Sequence, residues 1–151
     1  MGAADEQLAL QAVVTRMFVC TDRRDWQGVR AVLADEVYLD YTSLNGGEPA
    51  MLPADDLVAA WAGALGGLTS TQHLLGNFLV ESLAGDEATV TCYGQATHSL
   101  PQQSGASLWT LGAYYVVGLR RTGEDWRIAR LTMTVAWGDG NPQLLDRAQG
   151  R

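Results

Sequence analysis

Hydrophobic residues in the first part of the chain recur every three or four positions, which is the spacing of one face of an amphipathic helix. One such stripe predicts a helix over residues 5–21; it consists of Leu10, Val13, Val14, Met17 and Phe18. A second, short helix is predicted after an N-cap at Asp25, and a third is predicted from Pro53 to a stop at Gly66. The first half of the chain is therefore predicted to be largely helical.

Between the second and third helices, and again after residue 71, the hydrophobic period changes to two, which is the period of a β-strand. The earlier strand contains Val37 and Leu39 and ends with Tyr41 on its apolar face. Residues 45–49 are predicted to be a loop. Four longer strands are predicted near the end of the chain, over residues 72–83, 87–99, 107–121 and 125–138.

The last predicted strand changes phase along its length. Trp126 and Ile128 share one face, whereas the hydrophobic residues that follow share the other. The latter are Leu131, Met133, Val135 and Trp137. A change of phase inside one strand predicts a β-bulge, which bends a sheet and helps it to curl.

Helices followed by long strands are typical of the α+β class. The sequence therefore predicts a cone-shaped α+β barrel, in which three N-terminal helices pack on a strongly curved mixed or antiparallel sheet that encloses an apolar pocket. A length of 151 residues suits one domain, which is predicted over residues 1–151. The tail after the last strand contains Leu144 and Leu145 and is a candidate lid for the pocket.

The net charge of the chain disfavours two classes of binding partner. The formal net charge is −7, and all ten basic residues are arginines. A scattered, acidic pattern disfavours nucleic acids and anionic membrane surfaces, because both attract basic patches. The N-terminal residues contain neither a signal peptide nor a membrane span, so a cytoplasmic protein is expected. Cys20 and Cys92 are expected to be free thiols.

Two histidines and one aspartate are the candidates for chemistry. His98 shares a strand face with small apolar residues, and His73 alternates in phase with leucines and with Asn77. Asp22 lies four positions after Phe18, so it falls on the apolar stripe of the first helix. Histidine titrates near neutral pH, and a carboxylate beside it fixes its tautomer and raises its basicity. The three side chains together predict an acid–base site.

Plainer interpretations of these residues stay open. Each histidine can be a core residue that is hydrogen-bonded to the backbone, and Asp22 can cap the second helix, although Asp25 suits that role better. A zinc site is disfavoured, because neither a helical histidine pair nor a cysteine cluster supports it. No metal is therefore predicted.

Four segments, in this order along the chain, resemble the scytalone dehydratase family. They are Thr21–Trp26, Leu39–Tyr41, Thr71–His73 and His98. The similarity extends from residue 15 to residue 139. The resemblance implies the cone fold of the nuclear-transport-factor-2-like superfamily, to which the SnoaL-like polyketide cyclases also belong. It also implies a homo-oligomer, either a trimer or a dimer.

The resemblance further implies a role for each candidate residue. Asp22 would orient and charge-balance His73, which would act as general base and then as general acid. His98 would assist the leaving hydroxyl or hold the substrate, and Tyr41 would position a water molecule or the carbonyl oxygen. The other predicted substrate contacts, on inward strand faces, are Tyr115, Trp109 and Asn77.

Three positions depart from the family pattern. Thr21 stands where a tyrosine is expected, and Ala113 and Tyr115 stand where a serine and an asparagine are expected. The proton-transfer pair is thus predicted in a more apolar pocket, with an apolar substrate other than scytalone. The predicted function is a cofactor-free dehydratase of specialised metabolism that acts on a polyketide-, steroid- or terpenoid-like molecule. A cyclase or isomerase that uses the same proton relay and a non-catalytic ligand-binding protein are the alternatives.

Overall fold

The computed structural model describes residues 2–151. Its helices are α1 (Ala3–Asp22), α2 (Trp26–Val32), α3 (Thr42–Asn45), α4 (Ala54–Leu65) and α5 (Leu144–Ala148). Its strands are β1 (Leu33–Asp40), β2 (Ala50–Pro53), β3 (Ser70–Ala84), β4 (Glu87–Ser99), β5 (Leu108–Thr122) and β6 (Asp125–Gly140). The predicted order of helices followed by long strands is confirmed, and the short elements α3, β2 and α5 are added to it.

The six strands form one mixed sheet in the order β2-β1-β6-β5-β4-β3. Strand β1 runs parallel to β6, and the other neighbouring strands are antiparallel. The predicted α+β class, with helices packed on a mixed sheet, is confirmed. The cone is not a closed barrel, because β2 and β3 form two free edges of the sheet.

Two β-bulges in β6 change which side chains face the helices. One lies at Ala129, where the register between β5 and β6 shifts, and Ile128 and Leu131 on either side of it are both fully buried. The predicted bulge is therefore confirmed. The second bulge lies at Ala136 and turns Trp137 outward, where it is 45% exposed. The prediction that Trp137 continues the phase of Leu131 is consequently wrong.

Side-chain contacts near the N-terminus of helix α1 attach this helix to the sheet. The Glu6 carboxylate accepts a hydrogen bond of 2.6 Å from Trp126 Nε1 and another from the Arg121 guanidinium. The same guanidinium lies 4.4 Å from the centroid of the Trp126 ring, which adds a cation–π contact. The predicted apolar stripe of this helix faces the core; its buried members are Leu10, Val14, Met17 and Phe18. These contacts fix the helix that carries Asp22 at its last position.

The chain between β1 and β2 differs from the prediction. Strand β1 ends at Asp40, because the Asp40 carboxylate accepts hydrogen bonds from the Thr42 backbone N–H at 3.2 Å and from the Thr42 hydroxyl at 2.7 Å. This local turn starts α3 directly after Tyr41. Tyr41 is therefore a helix-cap residue and not the strand residue that was predicted.

Helix α5 packs against the end of α4. Its first residue, Leu144, is fully buried in the core. The carbonyl oxygen of Ala148 contacts Gly67, where the Cβ of any other residue would overlap that oxygen. None of the helices within residues 2–151 is both long and apolar enough to cross a membrane.

Candidate active site

Both histidines open onto one cavity of ≈ 340 Å³. The cavity lies between helices α1, α3, α4 and α5 and the sheet, and its wall is mostly apolar. Besides the histidines, the aromatic residues that line it are Phe18, Tyr41, Trp61, Trp109 and Tyr115. A space of this size and character accommodates a small organic molecule.

Asp22 and His73 form a hydrogen-bonded pair at the wall of this cavity. Asp22 ends α1, and His73 lies near the beginning of β3. Asp22 Oδ1 lies 2.7 Å from His73 Nδ1, and Asp22 Oδ2 accepts a hydrogen bond of 2.8 Å from the His73 backbone N–H. The carboxylate therefore holds the histidine by its ring and by its backbone.

This contact fixes the tautomer of His73. A carboxylate accepts hydrogen bonds, so Nδ1 of the neutral ring carries the proton and Nε2 keeps its lone pair. The ring lines the cavity, is 11% exposed and packs against Phe18 with 4.9 Å between the ring centroids. His73 is thus able to accept a proton from a molecule in the cavity, and Asp22 stabilises the imidazolium that forms.

The carboxyl group of Asp22 stays ionised despite its partial burial. Burial alone raises the pKa of this group, but hydrogen bonds from the ring and backbone of His73, the charge of His73 and a hydrogen bond from Thr71 outweigh that effect. The pKa of Asp22 is consequently lower than its ordinary value. The pair therefore has its negative charge in place at neutral pH.

Two residues that the sequence prediction omits lie behind Asp22. The Thr71 hydroxyl donates a hydrogen bond of 3.0 Å to Asp22 Oδ1, and Arg24 Nη1 donates one of 2.9 Å to that hydroxyl. Both residues belong to segments that resemble the scytalone dehydratase family, and this membership was the signal available in the sequence. Threonine and arginine are not the residue types that general acid–base catalysis commonly uses, so the criterion of acid–base chemistry does not select them.

His98 lies on β4, directly opposite Trp109 of β5. It is 5% exposed, and its ring stacks on the indole with 4.8 Å between the ring centroids. His98 Nδ1 lies 3.1 Å from the main-chain oxygen of Trp109. A carbonyl oxygen can only accept, so Nδ1 carries the proton and Nε2 keeps its lone pair. The centroid of His73 is 6.4 Å away.

The imidazole of His98 is neutral at neutral pH. Burial lowers its pKa, and the nearby charge of His73 acts in the same direction. The hydrogen bond to the Trp109 backbone opposes this shift, but the pKa remains below its ordinary value. His98 therefore presents a hydrogen-bond acceptor, and not an acid, to the cavity.

Tyr41 and Tyr115 bring two phenol groups to the same cavity. Burial raises the pKa of both hydroxyls, and the neighbouring Tyr115 adds to the shift at Tyr41. Both groups are therefore protonated and able to donate a hydrogen bond. The Tyr115 ring packs edge-on against Phe18, with 5.1 Å between the centroids.

Thr21, at the position where the family pattern has a tyrosine, lines the cavity but does not take over the role of that tyrosine's phenol. Its hydroxyl donates a hydrogen bond of 2.8 Å to the main-chain oxygen of Met17, one turn earlier in α1. This hydroxyl proton is therefore engaged within the helix. The aromatic residues of the wall supply the other polar groups there, namely two phenols, two imidazoles and two indoles.

Asn77 does not lie at the cavity, contrary to its predicted role as a substrate contact. The register between β3 and β4 shifts between Gly76 and Leu79, so Asn77 occupies a β-bulge. Its φ of 53° is left-handed, a conformation that asparagine adopts more readily than most residues. The bulge leaves Asn77 exposed and directs Phe78 against the core. Trp109 and Tyr115, the other two predicted contacts on inward strand faces, do line the cavity.

The C-terminal helix closes one side of the cavity. Leu145 lines it, whereas Leu144 belongs to the core. Three polar residues of the same segment also reach the cavity: Asp146, Gln149 and Arg151. Arg151 lies 3.5 Å from the Asp146 carboxylate, so its charge is partly balanced. The candidate lid from the sequence thus corresponds to α5.

The cysteines lie outside the acid–base pair. Both are free thiols, as predicted, and burial raises the pKa of Cys92 to about 11. A thiol with so high a pKa is a weak nucleophile at neutral pH. Across residues 2–151, histidine, cysteine and acidic side chains form no cluster of three or more that could hold a metal ion.

The fold and the site define a cone-shaped α+β protein with an aspartate–histidine pair at the wall of an apolar cavity. The SnoaL-like domain family matches residues 3–132, and the chain belongs to this family, within the NTF2-like superfamily. The resemblance seen in the sequence is thereby confirmed.

Known relatives are consistent with this membership. The chain is 29% identical over 146 residues to a dehydratase of Pestalotiopsis microspora, with 92% of each protein covered. It is 30% identical over 126 residues to a scytalone dehydratase-like protein of Metarhizium majus, covering 76% of this chain and 70% of the relative. A solved structure from Kribbella flavida has the same fold, with a TM-score of 0.88 at 23% identity over 97% of this chain and 99% of that one. These similarities support a dehydratase-type enzyme.

Proposed function

We propose that this protein is a dehydratase that needs no cofactor and eliminates water from an uncharged hydroxycarbonyl compound. The observation that carries the proposal is the Asp22–His73 pair, with 2.7 Å between Oδ1 and Nδ1, at the wall of a largely apolar cavity. A base that is held by a carboxylate and shielded from water suits the removal of a proton from carbon.

In the first proposed step, His73 Nε2 removes a proton from the carbon next to the substrate carbonyl. Asp22 balances the imidazolium that forms, and the phenols of Tyr41 and Tyr115 donate hydrogen bonds to the oxygen of the developing enolate. In the second step, the electron pair of the enolate forms the new carbon–carbon double bond as the β-hydroxyl leaves. The imidazolium returns its proton to that hydroxyl, so that water departs and neutral His73 is restored.

His98 holds a substrate hydroxyl in this scheme and does not protonate it. Its Nδ1 proton is directed to the Trp109 carbonyl, and its lowered pKa keeps Nε2 unprotonated at neutral pH. Of the two roles that the family resemblance implies, substrate binding is therefore favoured over assistance to the leaving group.

The substrate is a ring-containing, uncharged molecule of the polyketide, steroid or terpenoid kind. Aromatic and aliphatic side chains make up most of the wall, and they favour an apolar skeleton. Among the lining residues, the one arginine is Arg151, which lies close to Asp146, so the wall offers little to attract an anionic substrate.

The test is turnover of a panel of hydroxyketones of these three kinds, followed by mass spectrometry. Loss of one water from a substrate supports dehydration. A product of unchanged mass favours a cyclase or isomerase that uses the same pair, and binding of panel members without any turnover favours a non-catalytic binding protein.

Two variants test the assigned pair. His73→Ala and Asp22→Asn are expected to lose turnover while they keep their affinity for a substrate or product. Turnover at the wild-type rate in both variants would refute the assignment. Cys20→Ser is a suitable control, because Cys20 is a free thiol outside the residues that line the cavity.

We also propose that the protein self-associates through the outer face of its sheet. Leu74, Tyr93, Tyr114 and Val116 are exposed on adjacent strands of that face, and the Tyr93 and Tyr114 rings lie 4.9 Å apart. An uncharged apolar patch on a chain of net charge −7 suits a second copy of the same face. Light scattering tests this: a dimer that Tyr114→Arg converts to a monomer supports the same-face contact, whereas a trimer, which such a contact does not form, or a monomeric wild-type protein refutes it.

A further inference from the structure

We propose that Arg24 is a positioning residue, which sets the geometry of the Asp22–His73 pair through the hydroxyl of Thr71. The effect of Arg24 on turnover rests on the proposed function. Its effect on the histidine ring rests on the hydrogen bonds alone and is measurable without a substrate.

The contacts of Arg24 are unusual for an arginine at a helix end. Its φ is 59°, in the left-handed region that non-glycine residues seldom adopt. Nη2 donates to the carbonyl oxygens of Leu65 and Leu68 at 3.0 Å and 3.5 Å, and Nη1 donates to the carbonyl oxygen of Thr21 at 3.3 Å and to Thr71 Oγ1 at 2.9 Å. Strained backbone persists where surrounding contacts hold it, and it concentrates at functional sites.

The partners of Arg24 are all neutral. Within residues 2–151 its guanidinium forms no salt bridge with a carboxylate. Its charge therefore acts on three carbonyl oxygens and on the hydroxyl that touches Asp22. An arginine that served only as a surface solubilising group would not need this enclosed set of acceptors.

The hydrogen bonds between Arg24 and His73 run in one direction. A guanidinium N–H can only donate, so Thr71 Oγ1 accepts from Arg24. The single hydroxyl proton of Thr71 is then free to be donated to Asp22 Oδ1, 3.0 Å away. Donation to a hydroxyl polarises it and strengthens the bond that the hydroxyl itself donates. Arg24 thus strengthens the hydrogen bond that the Thr71 hydroxyl donates to Asp22.

The orientation of Asp22 depends on that hydroxyl. Oδ1 accepts from Thr71 and from His73 Nδ1, while Oδ2 accepts from the His73 backbone N–H. Without the Thr71 proton, Oδ1 has one fewer anchor, and the carboxylate is free to rotate away from the ring. The ring would then no longer be held with its proton on Nδ1 and its lone pair on Nε2.

A purely structural role for Arg24 predicts a different result. Its bonds to Leu65 and Leu68 join the turn after α1 to the end of α4 and to the turn before β3, so its loss is expected to lower thermal stability in any case. A structural role alone leaves the tautomer of His73 unchanged in the molecules that remain folded. The tautomer therefore separates the two roles.

The experiment uses ¹⁵N-histidine-labelled protein and long-range ¹H–¹⁵N spectra of the rings. The chain has two histidines, so only four ring nitrogens are observed. In the wild type we expect His73 to carry its proton on Nδ1. In Arg24→Gln and in Thr71→Val we expect the Nε2-protonated form to become detectable. Arg23→Gln, at the exposed neighbouring arginine, and Thr71→Ser, which keeps the hydroxyl, are expected to match the wild type.

Turnover supplies the second measurement. If the panel yields a substrate, kcat is expected to fall about 10- to 100-fold in Arg24→Gln and Thr71→Val, the range seen when a hydrogen bond behind a functional ligand is removed. KM is expected to stay unchanged, because neither side chain lines the cavity.

Two results would overturn the proposal. One is a wild-type His73 tautomer in folded Arg24→Gln or in Thr71→Val, even if the melting temperatures fall. The other is a Thr71→Ser variant that behaves like Thr71→Val, because the hydroxyl would then be irrelevant. If Arg24→Gln does not fold, the comparison of the His73 tautomer in Thr71→Val and Thr71→Ser is the deciding measurement. A tautomer shift in a protein without turnover supports the positioning role and counts only against the proposed function.

Discussion

The ring of His98 and the main chain of Trp109 meet across β4 and β5, with 3.1 Å between Nδ1 and the carbonyl oxygen. This contact gives His98 the same neutral tautomer as His73, but for a different reason. Asp22 holds His73 with a charge, which stabilises a protonated ring, whereas Trp109 holds His98 with a neutral carbonyl group. This difference supports the different roles proposed for the two histidines of the cavity.

Substitution of the two histidines is expected to affect different kinetic constants. His98→Leu removes one hydrogen bond to the substrate, so KM is expected to rise about tenfold with little change in kcat. His73→Leu removes the base, so kcat is expected to fall about 10²- to 10⁴-fold. Steady-state kinetics on a substrate from the panel measure both. An equal loss of kcat in the two variants would contradict the division of roles.

The stability of the protein is expected to fall in mildly acidic solution because of His98. Burial lowers the pKa of this residue in the folded state, so the unfolded chain binds a proton more readily than the folded one. The free energy of unfolding is then highest above the unfolded pKa of about 6.5 and decreases as the pH falls from there toward the folded pKa. Urea unfolding at a series of pH values measures this slope.

The matched variant for that titration is His98→Gln, which keeps a polar side chain but does not titrate. Its free energy of unfolding is expected to vary less with pH than that of the wild type between about pH 7 and about pH 5. The same slope in the variant and the wild type would show that another group is responsible.

Substitution of Asn77 distinguishes a bulge residue from a substrate contact. Asn77→Gly is expected to preserve KM and kcat, because glycine accepts the φ of 53° and the side chain does not line the cavity. Asn77→Val is expected to lower the free energy of unfolding by about 1–3 kcal/mol, because a β-branched residue is strained at positive φ. Kinetics and denaturant titration measure the two effects. A raised KM in Asn77→Gly would indicate that Asn77 contacts the substrate after all.

Displacement of α5 is expected when Gly67 is replaced. The added Cβ of Gly67→Ala would overlap the carbonyl oxygen of Ala148, so α5 must move away from α4. We expect faster protease cleavage within residues 144–151 and a higher KM, because Leu145 lines the cavity. Gly63→Ala is the control, since a Cβ at that position in α4 meets no atom within 4 Å. Similar cleavage rates in both variants would argue against α5 as a wall of the cavity.

The long elements and the acid–base pair were accessible from the sequence. The burial of β4 alternates along its whole length, so its inward face, with His98 on it, follows from the period of two. Asp22 was visible because it occupies an apolar stripe at the last turn of a helix. Its pairing with His73 came from the family resemblance, since spacing along the chain does not bring residue 22 to residue 73.

The predictions that are wrong concern segments in which a local contact overrides the two-residue hydrophobic period of a strand. Phe78 and Leu79 are both hydrophobic, so the pattern does not reveal that Asn77 starts a bulge. The turn of Asp40 onto Thr42 ends β1 early through two side-chain hydrogen bonds. The contacts of Arg24 could not be predicted from the sequence for another reason. Its acceptors come from three separate stretches of chain, and only the tertiary fold brings them together.

The proposed proton-transfer pair lies on α1 and β3, whereas the aromatic wall lies largely on other elements: Tyr41 before α3, Trp61 on α4, and Trp109 and Tyr115 on β5. The residues proposed to transfer protons and the aromatic residues proposed to contact the substrate thus occupy different parts of the scaffold. A change of wall residues leaves the carboxylate–imidazole contact in place. This makes the chain a suitable starting point for directed evolution, in which libraries at the wall explore new substrates with the reactive pair kept constant.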